Sequence, residues 1–279
     1  VSCRASSPPP PEATAQEILA WALDRFGPDL AVAVSFGAED MVLLDLLASL
    51  VGSHRPWPRL ITLDTGLLPA ETHALRLRAE EHFGVRFEVH GPTDDEVRAL
   101  LEDQGPEGFR RSVDARLRCC HVRKVVPLHR ALAGCPAWVT GLRRAQSPSR
   151  AGISAVEREV PTGPGAAPRW KVNPLAAWSE ADVWRHIERR GVPHHALHAR
   201  RYPSIGCAPC TRPVPAWSPG RDNPGVDLRA GRWWWERAAH GPGDAGTSSS
   251  HKECGLHLAP TQPAVSTPSP QRPHTGETP

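Results

Sequence analysis

The sequence has no apolar run approaching the roughly 18 residues that span a bilayer, so no transmembrane helix is expected. It also has little imbalance of charge. Its 33 Lys and Arg against 30 Asp and Glu leave a formal net charge of +3, too weak to argue for a nucleic-acid partner. A G-K-[ST] triplet is missing, which excludes a P-loop nucleotide site. A G-x-G-x-x-G does occur at Gly241, Gly243 and Gly246, but it follows no strand, contains Pro242 and runs into serines rather than a helix. The first eleven residues are rich in Pro and Ser without an apolar core, so they do not read as a secretory signal. No internal repeat of useful length is found. Nor do the seven cysteines form a disulfide framework, since their number is odd and four of them are paired in sequence. Cys119 and Cys120 are adjacent, Cys207 and Cys210 make a C-x-x-C, and Cys3, Cys135 and Cys254 stand alone. Clustered cysteines in a chain of this length suit metal binding or redox chemistry in a reducing compartment, so a cytoplasmic location is expected.

What is present is an alternation of strand and helix patterns. Thr14 and Glu17 make a capping box before an apolar helix that ends at Gly27. Residues 30–34 (LAVAV) are a short apolar run of the kind buried in a parallel sheet, followed by a helix over 41–50. The unit repeats with a strand at 59–63 (RLITL), a polar turn and a helix over 69–83. Strands are expected at 85–89 and 137–140, with a helix over 122–132 before the latter. Such alternation predicts an α/β domain on a parallel sheet. Beyond Gly141 the order loosens, because 145–168 is rich in Pro, Gly, Ser and Ala. Ser179 caps one more helix, stopped near Arg190 by Gly191 and Pro193, and turns are expected from there to Glu236.

Ligands on such sheets bind beyond the carboxyl ends of the strands. Two loops qualify: Ser35, Phe36, Gly37, Ala38, Glu39 and Asp40 after the first strand, and Asp64, Thr65 and Gly66 after the second. Small residues there let backbone N–H groups and a helix N-terminus approach an anion, although an ordinary βα loop has the same composition. The cysteine pairs suit an iron–sulfur cubane, a structural zinc, or two buried small hydrophobes. Adjacent side chains point apart, which is awkward for the doublet on a single ion. His194, His195 and His198 keep zinc open, although a loop histidine run reads first as solvated surface.

Longer motifs are more specific. SFGAED (35–40), LDTG (63–66), CCHVRKVVPL (119–128), TGLRRAQS (140–147), KVNPL (171–175), YPSIGCAPCTR (202–212), RAGRWWWE (229–236) and KECGLH (252–257) occur in this order. Across residues 14–257 the chain thereby resembles the cluster-containing adenylyl-sulfate reductases of bacterial sulfate assimilation, within the phosphoadenylyl-sulfate reductase family. The resemblance implies an adenine nucleotide α-hydrolase-like, ATP-pyrophosphatase-like α/β domain with a loop-rich, cysteine-bearing C-terminal segment. It implies a [4Fe–4S] cluster on Cys119, Cys120, Cys207 and Cys210, and Cys254 as nucleophile. Lys124, Arg229, Arg232 and His257 would surround a phosphosulfate, with Arg143, Arg144 and Arg150 nearby. Ser35 to Asp40 and Leu63 to Gly66 would hold the adenosine and its phosphate. The chain would divide into a disordered lead-in (1–12), a nucleotide-binding reductase domain (13–240), a flexible linker with the catalytic segment (241–257) and a disordered tail (258–279). Three features depart from the family: Arg201 stands where a Gly usually precedes Tyr202, the stretch 147–150 is short, and the linker at 241–250 is long and Gly/Ser-rich.

The implied chemistry is coherent. Sulfate is a poor electrophile until adenylylation gives it AMP as leaving group, and Lys and Arg can offset the charge that repels a thiolate. Lys252 and His257 would favour the Cys254 thiolate. Attack would leave an S-sulfocysteine, and with no cysteine nearby to resolve it, an external dithiol such as thioredoxin would release sulfite. Coil statistics give the ten linker residues a reach of roughly 16–19 Å, enough to carry Cys254 from substrate to reductant. The acidic Glu39, Asp40 and Asp64 are expected to repel a 3′-phosphate, favouring adenylyl sulfate over its 3′-phosphorylated form. An ATP-pyrophosphatase that adenylates or thiolates would instead want an SGGxDS-like loop, which is missing. The remaining alternatives are the 3′-phosphorylated substrate and a zinc-stabilised nucleotide-binding module without catalysis. Oligomeric state, a homo-oligomer included, is left open.

Overall fold

The computed structural model describes residues 7–160, 167–221 and 223–238. Helix α1 (Ala15–Phe26) starts at the expected capping box, with Thr14 Oγ1 accepting from Glu17 N and the Glu17 carboxylate accepting from Thr14 N. It leads into β1 (Leu30–Ala33), α2 (Ala38–Val51), β2 (Arg59–Leu63), α3 (Ala70–Phe83) and β3 (Glu88–His90). There follow α4 (Asp94–Gln104), α5 (Val113–Cys120), α6 (Val126–Ala131), β4 (Ala137–Val139), β5 (Val156–Glu159) and β6 (Arg169–Val172). The last helices are α7 (Glu180–Arg190) and the short α8 (Trp234–Ala238).

The six strands lie in the order β3-β2-β1-β4-β6-β5, all parallel except for the antiparallel β5–β6 pair. Alternation along β1 fills both faces of the sheet. Leu30 and Val32 join α1, α2, α3 and α7 in the larger core, while Ala31 meets Leu128, Ala131 and Leu132 of the α6 region on the opposite face. Trp138 of β4 is buried on that second face, where its indole N–H donates to Glu159. Chain order reverses direction between β1 and β4, so their carboxyl ends form a switch point at which loops diverge and leave a crevice.

Three expected boundaries need correction. The third strand is Glu88–His90, not 85–89. Val85 and Phe87 are apolar because they enter the core, but the Val85 N–H still bonds Glu80 at the end of α3. The helix expected at 122–132 is part of a longer helical run that starts at Val113 and widens into a π turn over His121–Val125. The stretch 145–168, expected to be irregular, contributes β5, whose VERE sequence carries the weak signal of a polar edge strand. Helix α4 was absent from the reading, although Thr93 and Glu96 form a complete capping box. The helix capped by Ser179 and ended by a left-handed Gly191 is found where expected, and short turns follow as expected until α8 begins at Trp234.

A candidate nucleotide site at the sheet switch point

The loop after β1 is closed by its own last residue. The Asp40 carboxylate accepts from the Ser35 N–H at 2.6 Å and the Ser35 hydroxyl at 2.7 Å. Burial pushes the Asp40 carboxyl up to about 6 despite those bonds. Phe36 turns left-handed (φ 62°) to bury its ring edge-on against Phe87 at 5.1 Å, which leaves the loop backbone facing the crevice. Opposite lies the end of β4. A side chain at Gly141 would collide with the Asp40 carboxylate and sit 3.0 Å from Glu39 Cβ, so only glycine lets the loops meet.

Glu39 is buried among the β4 loop's polar groups. Arg143 reaches it through Nε at 2.9 Å and Nη2 at 2.7 Å, and the Gln146 amide donates at 2.9 Å. Burial opposes ionisation, but the Arg143 charge and these hydrogen bonds hold the Glu39 carboxyl below its ordinary value. Gln146 also accepts from Arg150, which fixes that guanidinium on the wall of the cavity.

The cavity occupies about 240 Å³ and gathers residues from eight stretches of the chain. Ser35 to Asp40, Leu63, Thr65, Lys124, Arg143, Arg150, Arg229 and Arg232, all named from the motifs, line it. The π turn matters here, because π bulges re-aim side chains. It places Lys124 on the cavity while the neighbouring Arg123 turns inward and donates to the Thr65 carbonyl at 2.7 Å. Arg229 and Arg232 are buried, not the solvated basic face that their spacing also allowed. Their guanidinium carbons lie 5.5 and 4.7 Å from the Trp233 ring, and Arg116 stacks on the same ring at 4.2 Å. Arg232 is further confined by Gly206, where an added Cβ would sit 2.6 Å from its Cζ. Gly206→Ala is therefore expected to push that guanidinium aside. It should lower kcat/KM on the order of a hundredfold, as losing one oriented charge contact does, with little change in melting temperature.

Not every predicted residue reaches the cavity. Asp64 turns back to accept from the Gly66 N–H at 2.8 Å, and neither lines the wall. Arg144 donates to the Ile153 carbonyl instead. Cys254 and His257, like Cys3, lie outside the described residues. The sequence reading missed Gln146, Glu180, Trp184, Trp217, Thr72 and His198. Gln146 lay inside a quoted motif, but no sequence pattern marked the others as facing a ligand. Arg201 keeps the left-handed backbone (φ 66°) natural to a glycine, and its guanidinium donates to the Pro215 carbonyl. That backbone costs a non-glycine residue about 1 kcal/mol.

Beside the cavity, Cys119 and Cys120 end α5 and face Cys207 and Cys210 from the YPSIGCAPCTR segment. All four are buried in one cluster with Leu100, Phe109 and Trp233. The segment is anchored by Ala208 N–H to the Leu67 carbonyl at 2.7 Å and by Trp233 N–H to the Cys210 carbonyl at 3.1 Å. The Thr65 hydroxyl lies 3.2 Å from Cys207 Sγ. Burial, with the Cys207 charge adding, pushes the Cys210 thiol up to about 12, and burial raises Cys119 as well. Among the described residues no three His, Cys, Asp or Glu side chains converge as a group that could hold one metal ion. The surroundings nevertheless fit an anionic sulfur-rich group, because four buried donors nearby lack partners: Arg123 Nε, Arg232 Nε, Trp233 Nε1 and Trp235 Nε1. The histidines do not join the cysteines. His195 and His198 are buried, not solvated, and bond to Thr72 and to the Tyr202 carbonyl.

The likeness to known proteins follows the same outline. Over 260 residues the chain is 44% identical to the adenosine 5′-phosphosulfate reductase of Allochromatium vinosum, covering 92% of this chain and 90% of that one. It is 42% identical over 234 residues to the adenosine 5′-phosphosulfate reductase of Burkholderia cepacia, covering 83% and 81%. The solved phosphoadenylyl-sulfate (PAPS) reductase of Candida auris, a phosphate complex, superposes with a TM-score of 0.59 at 26% identity, over 73% of this chain and 91% of its own. Residues 29–213, which carry the sheet, the loops after β1 and β2 and all four clustered cysteines, match the phosphoadenosine phosphosulfate reductase domain, and the chain belongs to that family.

Proposed function

We propose that this protein reduces adenylyl sulfate to sulfite and AMP in sulfate assimilation. The observation that carries the reading is the meeting of Lys124, Arg229 and Arg232 on the same cavity as the Ser35–Asp40 loop. The Ser35–Asp40 loop offers backbone and small side chains to a nucleoside, and Lys124, Arg229 and Arg232 offer fixed cations to a phosphosulfate. The names of the relatives from Allochromatium and Burkholderia support the same substrate.

The cations offset the negative charge around sulfur, with Arg matching oxyanion faces and Lys acting as a point charge. The Cys254 thiolate attacks sulfur, a thiolate–sulfur bond forms, and the sulfur–oxygen bond breaks with its electron pair leaving on AMP. A dithiol such as thioredoxin then attacks Cys254 Sγ, expels sulfite and closes its own disulfide, supplying the two electrons. His257 assists in holding the phosphosulfate. A [4Fe–4S] group held by Cys119, Cys120, Cys207 and Cys210 would supply fixed charge and a structural tie between α5 and the YPSIGCAPCTR segment. The segment 241–257 is assigned as linker and carrier of Cys254. The odd count and sequence pairing of the cysteines support a reducing compartment such as the cytoplasm. No described helix is long and apolar enough to cross a membrane.

Glu39 is bound by Arg143 and Gln146, Asp40 by Ser35, and Asp64 by Gly66, so these acids are not free to repel a 3′-phosphate. The preference for adenylyl sulfate then rests on the relatives. A preference of about tenfold in kcat/KM is expected, near 1.4 kcal/mol of differential binding. Assays of both nucleotides at equal thioredoxin decide it, and equal turnover of the 3′-phosphorylated form would overturn it. The function itself is tested with sulfur-labelled adenylyl sulfate: labelled sulfite should appear only when a dithiol is added. Failure to release sulfite, with adenylation of a second substrate from ATP instead, would sink the reading.

A further inference from the structure

Behind the cavity wall, His195 makes two hydrogen bonds that together fix where its proton sits. It caps the turn Ala196–Arg200, and its Nδ1 accepts from the Leu197 N–H at 3.2 Å. An accepting nitrogen carries no proton. Burial, with the neighbouring His198 charge adding, lowers the His195 pKa to about 4, so the ring is neutral near pH 7. A neutral ring with a bare Nδ1 has its hydrogen on Nε2. That nitrogen lies 3.0 Å from Thr72 Oγ1, so the ring donates and the threonine oxygen accepts.

This leaves the Thr72 hydroxyl with an unspent proton. A hydroxyl has one hydrogen to donate and lone pairs to accept with. Here acceptance is taken by His195, and among the described residues the hydroxyl has no second partner. Thr72 is buried at the start of α3 and lines the nucleotide cavity, whereas His195 does not touch it. A buried donor kept from its neighbours is costly unless a bound group completes it.

We propose that Thr72 donates a hydrogen bond to an acceptor atom of the bound adenine nucleotide, and that His195 is the positioning residue that turns the Thr72 proton toward it. The proposal rests on the reading of the cavity as an adenine nucleotide site. His195 acts through a hydroxyl it orients, and its own contact with the ligand is not required. An Asn side chain could do the same work. Its Oδ1 accepts from the N–H two residues on, as in an Asx turn, while its Nδ2 donates to Thr72.

The test is calorimetric titration of AMP into the purified full-length protein and its variants, with melting temperatures recorded alongside. Thr72→Val keeps the shape and loses the hydroxyl, so AMP should bind about tenfold more weakly, as expected for one lost hydrogen bond. Thr72→Ser should bind as the parent does. His195→Leu should weaken AMP several-fold and His195→Asn should restore it. In the Thr72→Val background, His195→Leu should cost nothing more, because the two residues act as one unit. If Thr72→Val binds AMP as tightly as the parent, or if His195→Leu lowers the melting temperature without changing AMP affinity, the proposal is wrong and the functional reading stands. If the parent itself does not bind AMP, both fall.

Discussion

Cys254→Ser is expected to abolish turnover of adenylyl sulfate while leaving AMP affinity within about twofold. The reasoning starts from nucleophilicity. A serine hydroxyl is almost entirely protonated at neutral pH and is a poor attacking group at sulfur, whereas a cysteine thiol ionises far more readily and its thiolate is a strong nucleophile. The described cysteines do not offer a substitute. Cys135 is buried on the far face of the sheet, where it receives a hydrogen bond from Arg59 at 3.0 Å, and the remaining four are packed together beside Trp233. Loss of at least about a thousandfold in kcat is therefore expected, as for other nucleophile deletions. Mixing the parent enzyme with substrate and no dithiol should add one sulfite equivalent to the peptide containing Cys254 and release one AMP. Adding thioredoxin should then discharge it. Finding the added mass on Cys135 or Cys3 would refute the assignment. Because the nucleotide loops and the cations are built from residues of the described domain, the serine variant should still bind AMP. That separates loss of chemistry from loss of fold.

How far this could be read from the sequence depended on which residues answer to local rules. The LAVAV and RLITL runs announced β1 and β2 because strands covered on both faces need continuous apolar residues. The Thr14 and Ser179 caps located two helix starts, because capping is a local hydrogen-bond pattern. Strand β3 was misplaced since Val85 and Phe87 are apolar for a tertiary reason, namely contact with the core before any pairing to β2. Helix α4 carries the Thr93–Glu96 box, but its face toward the core is narrow, with only Leu100 and Gln104 buried. The site was legible as a set of motifs and illegible as a set of charges. Arg116, Arg143, Arg229 and Arg232 read equally well as solvent-facing residues; Arg116 is buried against Trp233 and Arg143 against Glu39, each more than a hundred positions away, while Arg229 and Arg232 flank the nearby Trp233. The histidines at 195 and 198 mislead for the same reason. A polar loop sequence gives no sign that Trp184 and Trp217 will pack around His198.

Protein purified without oxygen is expected to be brown and to contain about four irons and four sulfides per chain, the content of one cubane. Substitution of Cys119, Cys120, Cys207 or Cys210 by serine should bleach it. The structure adds a reason why loss of any one should reach beyond the metal. The Cys210 carbonyl accepts from the Trp233 N–H, Thr211 pairs with Arg232 across an isolated bridge, and the Trp233 ring is flanked by Arg229 and Arg232. A change in the cysteine turn therefore displaces the two guanidinium groups on the cavity wall. At the other end of the segment, Ala208 is tied to Leu67, in the loop that holds Thr65 against Cys207. Cys207→Ser should accordingly lose iron, lower the melting temperature by several degrees, and reduce sulfite formation by at least about a hundredfold, consistent with the loss of oriented charge. AMP should be less affected than adenylyl sulfate, since the proposed nucleoside contacts come from Ser35–Asp40 after β1, away from the cysteine turn. Metal analysis provides the sharper decision. One equivalent of zinc with no iron, in protein that still turns over adenylyl sulfate, would remove the cluster from this account and leave a zinc site in its place. Full activity in a colourless Cys207→Ser variant would show that neither metal is needed to hold Arg229 and Arg232.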